Sequence, residues 1–228
     1  MARGFAAAGA HVVVASRKAE PCASVAAEIC DRGGSAIGVA THVGDPDALD
    51  ALVAATLDRF GGIDILVNNA ANPLGGMLVD VTELAFQKSY EVNVRAPLFL
   101  AQRALPHLQV SAHASVINVI TAGAFQPGPG LGLYCSGKAA LWSLTRVMAK
   151  EWASLGVRVN AIAPGPFDTD MMAATLDVPE FHRSVVDATV LRRVAAPEEL
   201  VGAALFLASD ASSYVTGSVI PVDGGILA

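Results

Sequence analysis

Short apolar runs alternate with amphipathic stretches from one end of the chain to the other, and this alternation confines it to a parallel sheet with helices on both faces. The strand-like runs lie at residues 11–15, 36–40, 63–68, 115–119, 158–163 and 218–222. Helical stretches between them cover about 20–31, 82–107, 133–155 and 197–207. The clearest helix opens at Asp45, an N-cap, with Pro46 in the first helical position. Its apolar residues Leu49, Leu52, Val53, Leu57 and Phe60 recur with a period near 3.6, and Gly61-Gly62 ends it. Pro97, four residues after Asn93, is expected to kink or reset its helix. The stretches 82–107 and 133–155 are too apolar for solvated outer faces. No repeat, low-complexity tract or linker interrupts the pattern, so residues 1–228 read as one α/β domain.

The start of the chain departs from the order such a fold requires. Residues 2–8 resemble the tail of a helix, whereas a doubly wound dinucleotide-binding sheet opens with a strand, then a glycine turn, then that helix. The expectation is therefore an incomplete N-terminus, with the first strand and the glycine-rich turn absent. Arg3 followed by Phe5-Ala6-Ala7-Ala8 loosely imitates a leader, but Gly9, Ala10 and His11 interrupt it.

Charge narrows the function classes. Only 16% of residues are charged and the net charge is −6, with lysines and arginines mostly scattered singly; no basic stripe is available for nucleic acid. Such a low charge content also points to buried helix faces or a subunit interface. Cys22, Cys30 and Cys135 form no CxxC or metal spacing, and the five histidines include no His-x-x-x-His pair, so neither disulfides nor a metal is expected. No apolar run reaches eighteen residues. The chain is read as cytoplasmic.

The sharpest chemical signal is Tyr134-Cys135-Ser136-Gly137-Lys138 near the start of a helix. Tyr and Lys four apart share one helical face, and a cation held there would stabilise a phenolate and lower its pKa. Other motifs stand at consistent spacings around this pair. Asn68-Asn69-Ala70-Ala71 follows a strand, Asn93 lies in Glu91-Val92-Asn93-Val94, and Thr121 lies thirteen residues before Tyr134. Pro164-Gly165-Pro166-Phe167-Asp168-Thr169 follows the fifth strand, and Val222-Asp223-Gly224-Gly225 closes the chain. In this order and spacing they resemble the short-chain dehydrogenase/reductase family over nearly the whole chain. There are two departures: alanine replaces the glycine of Asn-Asn-Ala-Gly, and Thr121 stands where serine is usual.

The resemblance implies an NAD(P)-dependent oxidoreductase with Asn93, Thr121, Tyr134 and Lys138 as its catalytic set. Tyr134 would exchange a proton with the substrate oxygen. Lys138 would lower the tyrosine pKa and bind the nicotinamide ribose, Thr121 would orient the carbonyl, and Asn93 would hold a relay water. For the cofactor it implies Ser16, Arg17, His42, Val43, Asn68, Ala70, Tyr134, Lys138, Pro164, Gly165, Phe167 and Thr169. Ser16-Arg17-Lys18 carries no acid until Glu20, which favours NADP over NAD. Residues 167–190 resemble a substrate lid, in which Met171, Met172, Leu176 and Phe181 would line an apolar pocket. Carbonyl reductases and 3-oxoacyl-carrier-protein reductases are the branches it looks most similar to, and a homotetramer is the usual assembly. The rival is a catalytically silent scaffold of the same fold.

Overall fold

Six parallel strands form in the computed structural model, which describes residues 1–228 except for the side chains of Ala174 and Thr175. They are β1 (His11–Ser16), β2 (Ser35–Ala40), β3 (Ile65–Asn68), β4 (Ser115–Val119), β5 (Arg158–Pro164) and β6 (Val219–Val222). Each falls within two residues of its expected bounds. The helices are α1 (Ala2–Ala7), α2 (Ala19–Asp31), α3 (Pro46–Phe60), α4 (Glu83–Tyr90), α5 (Ala96–Leu108), α6 (Gly132–Trp152), α7 (Ala173–Leu176), α8 (Pro179–Asp187) and α9 (Val201–Ala208). Among the described residues no helix is long and apolar enough to cross a membrane.

The strands pair as two sheets rather than one. β1 pairs only with β2, while β3, β4, β5 and β6 pair in that order. The apolar layers nevertheless run across the break. On one face Val12 of β1 and Ile65 and Val67 of β3 join a cluster around Phe5, Ile117, Ile162 and Leu207. On the other, Val13 and Leu66 join Leu49, Leu52 and Leu100. The sheets therefore share cores while β1 and β3 keep open backbone edges. α1 lies in the first of these layers through Phe5.

Local chemistry sets the helix ends. Asp45 caps α3 by accepting from the Asp47 N–H at 3.0 Å, and Gly61 takes the left-handed conformation (φ 78°) that ends it. The long helix expected over 82–107 is interrupted. Residues Glu91–Arg95 form a π turn, closed by the Ala96 N–H on the Glu91 carbonyl five residues back. Pro97 follows directly and has no N–H for the Asn93 carbonyl, which is why the winding changes there. Strand β4 is buried along its whole length. Parallel pairing thus carries every strand's C-terminal end to one edge of the molecule, where ligands of such sheets bind.

Candidate active site

Four side chains converge around the end of β4. Thr121 caps a short 3-10 turn (Ala122–Ala124), its Oγ1 accepting from the Gly123 N–H at 3.3 Å. The hydroxyl hydrogen stays available for donation. Cys135 on α6 closes behind that turn: a Cβ on Gly123 would stand 2.8 Å from its Sγ. One turn along α6 from Tyr134, Lys138 is almost wholly buried, and its Nζ donates to the Val119 carbonyl at 2.8 Å. That Nζ lies 5.9 Å from the centre of the Tyr134 ring. An ammonium has three N–H donors, and Val119 is the one acceptor Lys138 meets among the described residues.

Burial governs the ionisation of both groups. It pushes the Tyr134 phenol up to about 12, with a smaller contribution from neighbouring Cys135. It draws the Lys138 ammonium down to about 8. The spacing of the pair led us to expect a lowered tyrosine pKa. In the folded chain withdrawal from water raises it instead, and the phenol is neutral through the physiological range.

Asn93 sits in the π turn and is buried against α6, where a Cβ on Gly137 would lie 3.4 Å from its own. Its carboxamide oxygen accepts from the Asn72 N–H (3.1 Å). Its amide hydrogens go to the Asn72 carbonyl (2.9 Å) and Ser89 Oγ (3.2 Å). Both amide hydrogens are committed, so this side chain clamps the loop after β3 to the helix. Asn72 and Ser89 were invisible in the sequence: the first is a loop residue twenty-one positions away, the second an ordinary helix serine.

The cofactor candidates line the same edge in two groups. On the two-stranded sheet, Ser16 ends β1 and its carbonyl accepts from the Thr41 N–H at 2.7 Å. Arg17 and Lys18 follow, exposed and without an ion pair among the described residues. His42 is exposed beside Gly44 and Glu91, while Val43 turns into the Leu49–Leu52–Leu100 cluster. A shallow cleft lies between Val43, Asn68, Ala70, Val92 and Pro97. The Asn68 amide points inward, donating to Asn118 Oδ1 (2.8 Å) and the Pro97 carbonyl (3.3 Å). Asn118 in turn donates to Thr145 Oγ1 (2.9 Å). This buried chain was legible only as an asparagine inside an otherwise apolar strand.

On the other group, Pro164 ends β5, and Gly165 lies where a Cβ would meet the Asp223 Cα at 2.6 Å, so only glycine fits. The Phe167 ring is buried in the Phe5–Ile117–Ile162 cluster. Thr169 is exposed, its carbonyl accepting from the Met172 N–H at 2.8 Å. Met171 and Phe181 are exposed; Met172 and Leu176 are half-buried. The fit to a nicotinamide dinucleotide is good at both ends. Lys138 offers buried donors for a ribose diol, and Arg17 and Lys18 offer free cations beside the end of β1.

The chain is similar to known proteins over nearly its whole length. The family profile described as enoyl-(acyl carrier protein) reductase matches residues 1–227. Dehydrogenase/reductase SDR family member 4 of Homo sapiens is 38% identical over 226 residues, 99% of this chain and 81% of that protein. A gluconate 5-dehydrogenase from Burkholderia cenocepacia J2315, solved in complex with NADP and tartrate, superposes with a TM-score of 0.94 at 33% identity, over 99% of this chain and 89% of that one. A 7α-hydroxysteroid dehydrogenase complexed with NADH and 7-oxo glycochenodeoxycholic acid gives 0.94 at 33% identity, over 98% and 87%.

Proposed function

The chain belongs to the short-chain dehydrogenase/reductase family and is an oxidoreductase moving a hydride between a nicotinamide cofactor and a carbonyl or secondary alcohol; from that premise we propose that it is an NADPH-preferring carbonyl reductase with Tyr134 as proton donor. The observation that carries this reading is the Tyr134–Lys138 pair on α6, a neutral half-buried phenol beside a buried lysine tied to the Val119 carbonyl. A phenol held protonated suits donation to a carbonyl oxygen as negative charge develops there.

The cofactor, when bound, supplies the hydride, and the protein supplies position and the proton. Thr121 directs its hydroxyl to the substrate oxygen. Lys138 holds the nicotinamide ribose with the donors Val119 leaves free. Thr169 meets the carboxamide, and Pro164, Gly165 and Phe167 wall that end. The Asn68 backbone and Ala70 border the adenosine ribose, His42 and Val43 the adenine, and Ser16 and Arg17 the 2′-phosphate. Asn93 acts by fixing the loop through Asn72. We read residues 1–228 as one cytoplasmic dinucleotide-binding domain. Exposed Leu84, Phe86 and Phe99 on α4 and α5, with Val147 on α6, support a homotetramer.

The neighbouring structures hold NADP in one case and NADH in another, so the preference rests on Arg17. We expect Arg17→Ala to weaken NADPH binding by about 1.5–3 kcal/mol, the scale of a charge-assisted hydrogen bond, and to leave NADH nearly unmoved. Calorimetric titration of both cofactors checks this. Equal weakening of the two would remove Arg17 from the 2′-phosphate site. A silent scaffold of the same fold need not bind either cofactor.

A further inference from the structure

We propose that Asn118 and Thr145 are positioning residues for Lys138: their buried hydrogen bond seats α6 on the end of β4 so that the Lys138 Nζ meets the Val119 carbonyl. This rests on the reading of Lys138 as the group that holds the nicotinamide ribose. β4 is buried at every residue, yet it carries Asn118 between Ile117 and Val119. Asn118 and Thr145 are both wholly out of water. The Asn118 Nδ2 donates to Thr145 Oγ1 at 2.9 Å, and the Thr145 hydroxyl donates in turn to the Leu141 carbonyl at 2.8 Å. On its other side Asn118 Oδ1 accepts from Asn68 Nδ2 at 2.8 Å. A carboxamide withdrawn from water gains little stability over an apolar side chain of its size, even with its bonds made. What it adds is direction, because the bond forms in only one placement of helix on strand.

Chain connectivity leaves that placement open. Residues 120–131 run from β4 to α6 with glycine at 123, 128 and 130. The apolar cluster of Ile120, Leu141, Ala161 and Ala163 holds helix to sheet, but apolar burial is non-directional. Among the described residues two polar ties reach from α6 to β4. Lys138 takes the Val119 carbonyl and Thr145 takes the Asn118 side chain, on consecutive strand residues. Lys138 and Thr145 stand seven residues apart, which is two turns, so both ties leave one face of α6. They differ in stiffness. Lysine reaches on a flexible four-carbon stem, whereas Thr145 is β-branched and its hydroxyl is locked to its own helix. Asn118 and Thr145 therefore set the seat, and Lys138 occupies the position that results. A slide of α6 by about 1 Å would stretch a 2.8 Å bond beyond hydrogen-bond range and carry Tyr134 with it.

The test removes the tie and keeps the packing. In the double variant Asn118→Leu with Thr145→Val, both polar partners give way to apolar groups of similar size, an exchange that leaves stability nearly unmoved. NADPH affinity is read by calorimetry, and the Lys138 Nζ by NMR of the cofactor-free chain with labelled lysine, Lys138→Met identifying its signal. We expect NADPH to bind about tenfold more weakly and kcat to fall by about tenfold to hundredfold. The Nζ titration midpoint should rise from about 8 by about one pH unit as water reaches it. Thr145→Ser, which keeps the hydroxyl, should match the unaltered chain in all three. Should the double variant not fold, Thr145→Val alone is read in the same way. An unmoved Nζ midpoint overturns the proposal, as does a Thr145→Ser chain that behaves like the double variant. Should the midpoint move while NADPH affinity and kcat stay unaltered, the seating of Lys138 stands and its assignment to the ribose fails.

Discussion

Lys138 lies almost wholly out of water with the Val119 carbonyl as its protein acceptor, and stability bears the consequence. Its pKa falls from 10.5 to about 8 through burial, and each unit corresponds to about 1.4 kcal/mol. Holding this ammonium in the folded chain at neutral pH therefore costs about 3 kcal/mol relative to the unfolded chain. The folded pKa is depressed, so the cost is complete below pH 8 and is relieved as pH rises toward 10.5, where the unfolded chain also gives up the proton. We expect Lys138→Met to raise stability at pH 7 by about 1–3 kcal/mol, while turnover is lost. The gain should shrink in urea denaturation run at successive pH values up to 10. A variant less stable than the unaltered chain at pH 7 would mean that the lysine's hydrogen bond outweighs its desolvation. The Tyr134–Lys138 spacing could be read from the sequence because four residues on a helix always share a face. The direction of the tyrosine shift could not, because desolvation depends on what other elements place over the ring.

β1 and β3 are the elements with unfinished business: each pairs on one side only, although their side chains enter common clusters. Backbone groups left without partners inside such a core cost about 1–3 kcal/mol each. We expect amides along β1 and β3 to exchange with solvent far faster than those of β4 and β5, which are paired on both sides. Hydrogen exchange read by mass spectrometry checks this. Equal protection of all four strands would show that the two edges are closed in solution. Strands and helices were legible here because periods of 2 and 3.6 are local properties. The π turn at Glu91–Arg95 was not, since apolar periodicity continues through it; Asn93 and Pro97 marked the place without giving the geometry.

At the scale of the whole molecule, the C-terminal edges of two parallel sheets gather residues from positions 16 to 169, and the active-site reading depends on that gathering. The motifs and their order were enough to expect it, because Ser16, Asn68, Thr121 and Pro164 stand at or just beyond a strand's C-terminal end. What the sequence concealed is how polar groups pair through space. The Asn68–Asn118–Thr145 chain and the Asn93–Asn72 clamp join segments 21 to 50 residues apart. They make two of the conspicuous asparagines positioning residues. The central claim is that Tyr134 gives the proton in NADPH-dependent ketone reduction, and the direct measurement is the rate of NADPH consumption by the unaltered chain and by Tyr134→Phe at saturating ketone. We expect kcat to fall by about 10²–10⁴, the range for loss of a positioned general acid, with NADPH affinity and fold unchanged. A phenylalanine variant that consumes NADPH at the unaltered rate would contradict the assignment.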